Sequence, residues 1–501
     1  MKSKFLSLAW LALLVPVLVV LMSSASDSAA GTDGWWDSTW AYRVPVTVSA
    51  NSFSRNNKPV EVPINFTTLL NSLGKSGSLD PNSIRVIEVD NADNTLNANV
   101  PFQFDKGAGY NAATNAEGTV VFLMEGNTGG GQARRFQIYF DLVGSNHMLP
   151  SFYDRVQTTS IIDAYGYDTY KIVTPGGTYR YHKAGGGFAS LIDINTNDWI
   201  SWNPAGANKG DFRGIPNMVN PNDGGYFHPG RNIVSTTLAY DGPLRTRLRS
   251  VSNDGKWETV WDIFPTYARM TVVRVDPTKY YWFLYEGTPG GVFEPSTDLV
   301  TKSDGTQATA DVSWTGDIPG EEWVYFTDPA LGRSLFVIHH QEDDKVDSYR
   351  PSSPDPVMTI LGFGRDSTAG RYLTGADRQL SFGLVDKSLF SDVRTVVRDV
   401  YKPLDISKGA PESNPNPQST PSVTVVPPTT TATLAPTNTP TPTGTFTPIP
   451  TFTSTPTATA VIPTVTPTYT PTEMPTITAT APAPIEYLIY MGAVFSDVTP
   501  D

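Results

Sequence analysis

At 501 residues and a formal net charge of −13, the chain has room for two or three domains. It is too acidic for nucleic acid or anionic membrane surfaces to be its default partners. It contains 42 Pro, 41 Gly and no Cys, so part of it cannot bury a core, and disulfides, thiolate metal sites and cysteine nucleophiles are all excluded.

The first thirty residues read as an export signal. Lys2 and Lys4 precede an apolar run from Phe5 to Met22, and Ser28 and Ala30 stand at −3 and −1 for cleavage before Gly31. An uncleaved anchor is the alternative, because the run approaches the length of a bilayer span. Either way the expected localisation is extracellular or at the cell surface.

Alternating strand formers then dominate from about 34 to 405. Examples are Tyr42 to Val48, Ser83 to Val89 and Thr119 to Met124, each bounded by Gly, Asn or Pro clusters. Helix patterns are few, and the best are Thr67 to Leu73 and Ser391 to Asp399. The fold class is therefore all-β. A polar, turn-prone break near Leu142 to Tyr153 separates a first sandwich at 34–143 from a larger β domain at 155–405, in the form of two extended sheets packed face to face.

From Ala410 to Pro484 the composition is mostly Thr, Pro, Ser, Ala and Val, with only Glu412 and Glu473 charged. Proline lacks the amide donor and restricts its predecessor, so this stretch is expected to be a disordered stalk, reaching on the order of 200 Å as polyproline II. The tail at 485–501 is apolar from Tyr487 to Phe495, too short to span a membrane, and is a candidate for attachment to the cell envelope.

Two resemblances follow from the residues. The opening WWDSTWAYRVPVTV, with FQFD and RRFQIYFD later, resembles a lectin-like β-sandwich domain of unknown function found near the start of secreted bacterial proteins. It implies an accessory or binding module; Trp35, Trp36 and Trp40 are read as packing residues before a sugar platform. The segments YRYHKAGGGFASLID, FRGIPNMV, YFHPG, YYWFLYEGTPGG and MTILGFGR resemble the supersandwich proteins related to galactose mutarotases and to several polysaccharide lyases.

The candidate chemistry lies in the larger domain. The loop-like run Phe212 to Gly230 holds Arg213, Asn217, Tyr226 and His228. Those residue types suit β-elimination of a uronic acid, with Arg213 and Asn217 neutralising the carboxylate and Tyr226 and His228 moving protons. Glu286 sits among aromatics in YYWFLYEGTPGG, where desolvation would raise its pKa and suit a general acid; Trp282 and Tyr285 would stack on sugar rings. Strand alternation puts Arg245, Arg247 and Arg249 on one face, either as a stripe for acidic sugar units or as a solvated face paired with nearby Asp and Glu. Glycoside hydrolysis would need a second carboxylate, for which Asp262 is a candidate. His339 and His340 point to opposite faces of a strand, Asp90 and Asp93 read as a turn, and no metal or cofactor is expected.

The reading is a carbohydrate-active protein, a polysaccharide lyase on acidic polysaccharide, with a non-catalytic carbohydrate-binding adhesin or a glycoside hydrolase as alternatives. The enzyme reading requires Arg213, Asn217, His228 and Glu286 to line one groove.

Overall fold

A computed structural model describes residues 34–218 and 227–418. The export signal, Tyr226, most of the Thr/Pro stretch and the apolar tail lie outside the described residues. The architecture is all-β. The helices at Phe66–Ser72 and Phe390–Tyr401 occupy the two places where the helical pattern of the sequence is best.

The first sandwich packs a sheet built on strands Tyr42–Ser49, Ala133–Leu142 and Leu79–Val89 against a sheet of Arg55–Asn65, Glu117–Thr128 and Phe102–Lys106. Its core forms by alternation: Val60, Val62 and Ile64 project from the same face of their sheet as Val120, Phe122 and Met124 on the neighbouring strand, and all are at most 3% exposed. The three tryptophans close one end of this sandwich. Trp35 and Trp40 are buried with Ile87, Val89 and Tyr139, and Trp40 donates its indole N–H to the Ser83 carbonyl at 2.7 Å. They pack, as expected.

The chain finally returns to this sandwich. Asp405–Lys408 and Glu412–Ser413 both pair antiparallel with Tyr42–Ser49, and Asn414 donates to the Ser38 and Trp40 carbonyls. Residues 410–418, at the head of the Thr/Pro-rich stretch, thus belong to the first sandwich.

The large domain stacks a nine-stranded antiparallel sheet, from Val234–Asp241 at one edge to Gln307–Thr309 at the other, against two four-stranded sheets. The segment 214–218 joins those two into one layer. It pairs at Ile215 with Phe188 on one side and at Gly214 with Glu286 on the other. Further bonds run from the Leu284 N–H to the Pro216 carbonyl at 2.7 Å and from the Trp282 N–H to the Met218 carbonyl at 3.2 Å. Between the layers lies the main core, including Trp199, Trp257, Trp261, Tyr285 and Phe382.

The outer face of the nine-stranded sheet packs on the first sandwich and on helix Phe390–Tyr401, through Val121, Leu123, Tyr267, Trp323, Phe336 and Val393. Arg55 caps that helix's C-terminus, donating to the carbonyls of Asp399, Lys402 and Pro403 at 2.8–2.9 Å, where the helix dipole favours a cation.

This interface overturns the acidic-sugar role expected of Arg245, Arg247 and Arg249. Arg245 is 1% exposed and bonds Asp105 and Glu61 of the first sandwich. Arg247 forks onto Asp262 at 2.6 and 2.7 Å, and Arg249 bonds Glu258 at 2.6 Å. Both acids come from the neighbouring strand Glu258–Ile263, Asp262 directly opposite Arg247 and Glu258 diagonal to Arg249. Asp262 is also lost as a second catalytic carboxylate. It lies in this network, on the opposite side of the sandwich from Glu286.

Candidate active site

Strand Phe283–Gly287 carries alternating faces. Phe283 and Tyr285 are fully buried in the core, whereas Glu286 is partly exposed on the outer face. Tyr285 donates its hydroxyl to the Trp199 carbonyl at 2.7 Å. It is a core residue, which removes it as a sugar-stacking ring. Trp282 belongs to the outer face with Glu286, but it is only 7% exposed. Its indole N–H donates to the Asn217 carbonyl at 2.6 Å, and guanidinium groups of Arg365 and Arg371 lie 5.4 and 5.5 Å from its ring centroid. Trp282 therefore fixes the site's floor and offers no open stacking platform.

Asn217 reaches Glu286 from the joining segment. The chain follows a cis Ile215–Pro216 bond and places Asn217 at φ 43°, a left-handed conformation that Asn adopts more readily than most residues. Glycine at 214 is required by close approach, since a Cβ there would stand 2.7 Å from Pro229 and 2.8 Å from the Asn217 side-chain oxygen. The Asn217 Nδ2 donates to Glu286 Oε2 at 2.5 Å and to the Phe212 carbonyl at 2.9 Å, with the residue itself 0% exposed.

Burial pushes the Glu286 carboxyl up to about 7, and nearby Asp211 adds to that; Asn217, Arg365 and Arg350 work in the other direction. The result is a carboxyl that changes charge near neutrality, the condition for a group that both takes and gives a proton.

His228 is joined to this pair but cannot act as its partner. Its ring is fully buried, with Nε2 3.0 Å from the same Phe212 carbonyl that Asn217 engages and Nδ1 2.6 Å from the Pro229 carbonyl. Burial pushes the imidazole down to about 4, against those two carbonyls. It clasps loop ends and is removed as an acid/base candidate. Arg213 is likewise withdrawn from carboxylate neutralisation. Its guanidinium donates to the carbonyls of Ser201, Asn208 and Val357 at 3.0–3.3 Å and so ties the loop to a neighbouring turn. Of the four residues expected in one groove, Asn217 and Glu286 are in contact. His228 is linked to them under the surface, and Arg213 turns away.

Two site residues escaped the sequence reading, Arg350 and Arg365. Both contribute to the electrostatics at Glu286. The one signal for Arg365 was the run ILGFGR, in which glycines flank the residues before an arginine.

A second titratable cluster lies at the end of strand Arg333–His339. Ligand atoms of Glu322, His339 and Asp343 lie within 4.8 Å of one another. The Arg378 guanidinium donates to Asp343 at 2.5 Å and faces His339 Nε2 at 3.2 Å. A guanidinium only donates, so Nε2 carries the lone pair and Nδ1–H faces Glu322. Arg378 thus supplies the positive charge within this cluster. His340 points to the other face and stacks on Tyr401, as alternation requires. His182 bonds Asp163 at 2.8 Å and accepts from the Gly230 N–H, a loop-fixing role.

No family model matches this chain, and no curated protein does. Among solved structures, 74% of the chain aligns with 47% of a glycosyl hydrolase family 38 protein from Enterococcus faecalis, at 9% identity and a TM-score of 0.41. The chain thus spans about half the length of that protein. A galactose mutarotase-like protein from Clostridium acetobutylicum aligns over 46% of this chain and 98% of its own, at 9% identity and a TM-score of 0.32. A galactose mutarotase related enzyme from Lactobacillus acidophilus aligns over 43% and 96%, at 11% identity and a TM-score of 0.31. At these scores the similarities assign no activity to this chain.

Proposed function

We propose that this chain is a carbohydrate-active protein working outside the cell, and that it cleaves acidic polysaccharide by β-elimination with Glu286 as the proton-transfer group. The single observation that carries the reading is the Asn217–Glu286 contact on an otherwise arginine-rich outer face, which holds a partly exposed carboxyl that titrates near neutrality. In its charged form Glu286 takes the proton from C5 of a uronic acid unit. The C4–C5 double bond forms, the C4–O4 bond breaks, and the protonated Glu286 hands the same proton to the departing oxygen. Export by the leader and display on the Thr/Pro stretch are part of the proposal and rest on the sequence.

Asp211 favours glycoside hydrolysis as a second reading, because it is a second carboxylate in the electrostatic environment of Glu286. Incubation of the full chain with a panel of uronic-acid polysaccharides separates the readings. Ultraviolet absorbance from the unsaturated product, lost in Glu286→Gln, supports elimination. New reducing ends without that absorbance support hydrolysis. Neither signal on any polysaccharide refutes catalysis and leaves binding alone.

A further inference from the structure

The outer face that carries Glu286 also holds two cations, Arg350 and Arg365, that form no ion pair among the described residues, although the charges of Glu286 and Asp366 act on Arg365. Arg350 on strand Asp347–Pro351 stands opposite Ile360, which stands opposite Glu286, so the three side chains form one row across three strands. At the usual strand spacing the ends of that row are roughly 10 Å apart. Arg365 follows strand Thr359–Phe363 and folds back over Gly362. A Cβ on that glycine would meet Arg365 Cδ at 2.7 Å and Cβ at 2.8 Å, so the missing side chain is what lets Arg365 lie flat on the sheet.

Arg365 is only 6% exposed, and a guanidinium so buried ordinarily has a carboxylate partner. Among the described residues it has none. Its Nη1 makes two long contacts of 3.4 Å, to Ser348 Oγ and the Asp366 carbonyl, and its Nε is buried without an acceptor. Arg350 is half-buried, its Nε likewise lacks an acceptor, and the two cations repel each other. Elsewhere Arg245, Arg247, Arg249 and Arg269 hold carboxylates, and the half-buried Arg213 is satisfied by three carbonyls. Two adjacent guanidinium groups left unmatched beside an acid/base carboxyl have the composition of an oxyanion site, since their planar forks suit carboxylate and sulfate oxygens.

We propose that Arg350 and Arg365 form a subsite for a sugar-borne oxyanion, a carboxylate or a sulfate ester, seated beside Glu286. The identification of the ligand as a sugar rests on the function proposed above; the anion site itself does not. For elimination, an anion held there would be the carboxylate whose neutralisation loosens the C5 proton.

Isothermal titration of the full chain with oligogalacturonate, a sulfated oligosaccharide and a neutral oligosaccharide of equal length tests the subsite. Arg350→Gln, Arg365→Gln and the control Arg249→Gln are titrated alongside, each checked for native circular dichroism. Arg350 is the less buried of the two, so its variant keeps the test open should Arg365→Gln fail to fold. The expected result is binding of at least one acidic oligosaccharide that weakens about tenfold or more in the Arg350 and Arg365 variants, weakens with salt, and is unchanged in Arg249→Gln. The preferred acidic ligand distinguishes carboxylate from sulfate. Equal affinity for the neutral oligosaccharide, no binding of any oligosaccharide, or unchanged affinity in the folded variants overturns the subsite. Anion binding that follows this pattern without turnover of any polysaccharide would sink the catalytic proposal alone. Turnover with KM unmoved in the arginine variants would sink the subsite alone.

Discussion

Glu286→Gln is expected to make the protein more stable at alkaline pH, the opposite of what loss of a well-bonded side chain usually does. The carboxyl is raised from 4.5 to about 7 in the folded state, chiefly by burial. A carboxyl raised in this way binds its proton more tightly folded than unfolded. Its protonation therefore favours the fold fully below the unfolded value, and that contribution is lost as pH rises towards the folded value near 7. At about 1.4 kcal/mol per pH unit the ceiling is about 3 kcal/mol. The side chain is partly exposed, and solvent screening reduces this to about 1–2 kcal/mol. Gln keeps the shape and accepts the Asn217 N–H without ever ionising. Urea denaturation of both proteins across this range should show near-equal stability below about pH 4.5 and a variant more stable by about 1–2 kcal/mol above about pH 8. A difference that does not vary with pH, or a variant that loses stability as pH rises, would refute the argument. It would mean that Arg350, Arg365 and Asn217 hold Glu286 ionised.

Three further outcomes are expected. Arg245→Ala leaves Asp105 and Glu61 facing each other at the sandwich interface and should cost about 3–5 kcal/mol in urea denaturation, whereas Arg249→Ala at the exposed end of the row should cost about 1 kcal/mol or less. Gly362→Ala should leave the circular dichroism spectrum native yet lower acidic-oligosaccharide affinity, because the added methyl group meets Arg365 and Leu284, each at 2.7 Å, and displaces the arginine; unchanged affinity would contradict the placement of that side chain. Arg55→Ala strips the cation from the C-terminus of helix Phe390–Tyr401 and should lower the thermal midpoint, with a loss of about 2 kcal/mol or more from unpaired carbonyls. A midpoint within error of the parent would show that water replaces the guanidinium.

Much of the fold was legible because strand alternation is local. Val60, Val62 and Ile64 declare an inward face within five residues, and both helices lie where the pattern changes period. The same rule was available at Trp282 and Tyr285, whose odd spacing puts them on opposite faces, and applying it would have sent Tyr285 to the core. What alternation cannot supply is register. Arg247 and Arg249 do project together, but the acids that neutralise them arrive on Glu258–Ile263, and only the pairing of strands reveals that match. The return of Asp405–Lys408 to Tyr42–Ser49 joins segments more than 350 residues apart and left no local trace. Asn217 and Glu286 were each singled out for residue type, whereas their contact depends on a segment inserted between two sheets. Arg350 and Arg365 were missed because an unmatched cation is defined by what surrounds it in space.

A crystal structure of Glu286→Gln with an acidic oligosaccharide that the parent protein binds would place the substrate directly. The expected result is a sugar ring over the outer face of strand Phe283–Gly287, with its anionic group between Arg350 and Arg365 and C5 facing position 286. Sugar density elsewhere on the molecule, with that face left empty, would contradict it.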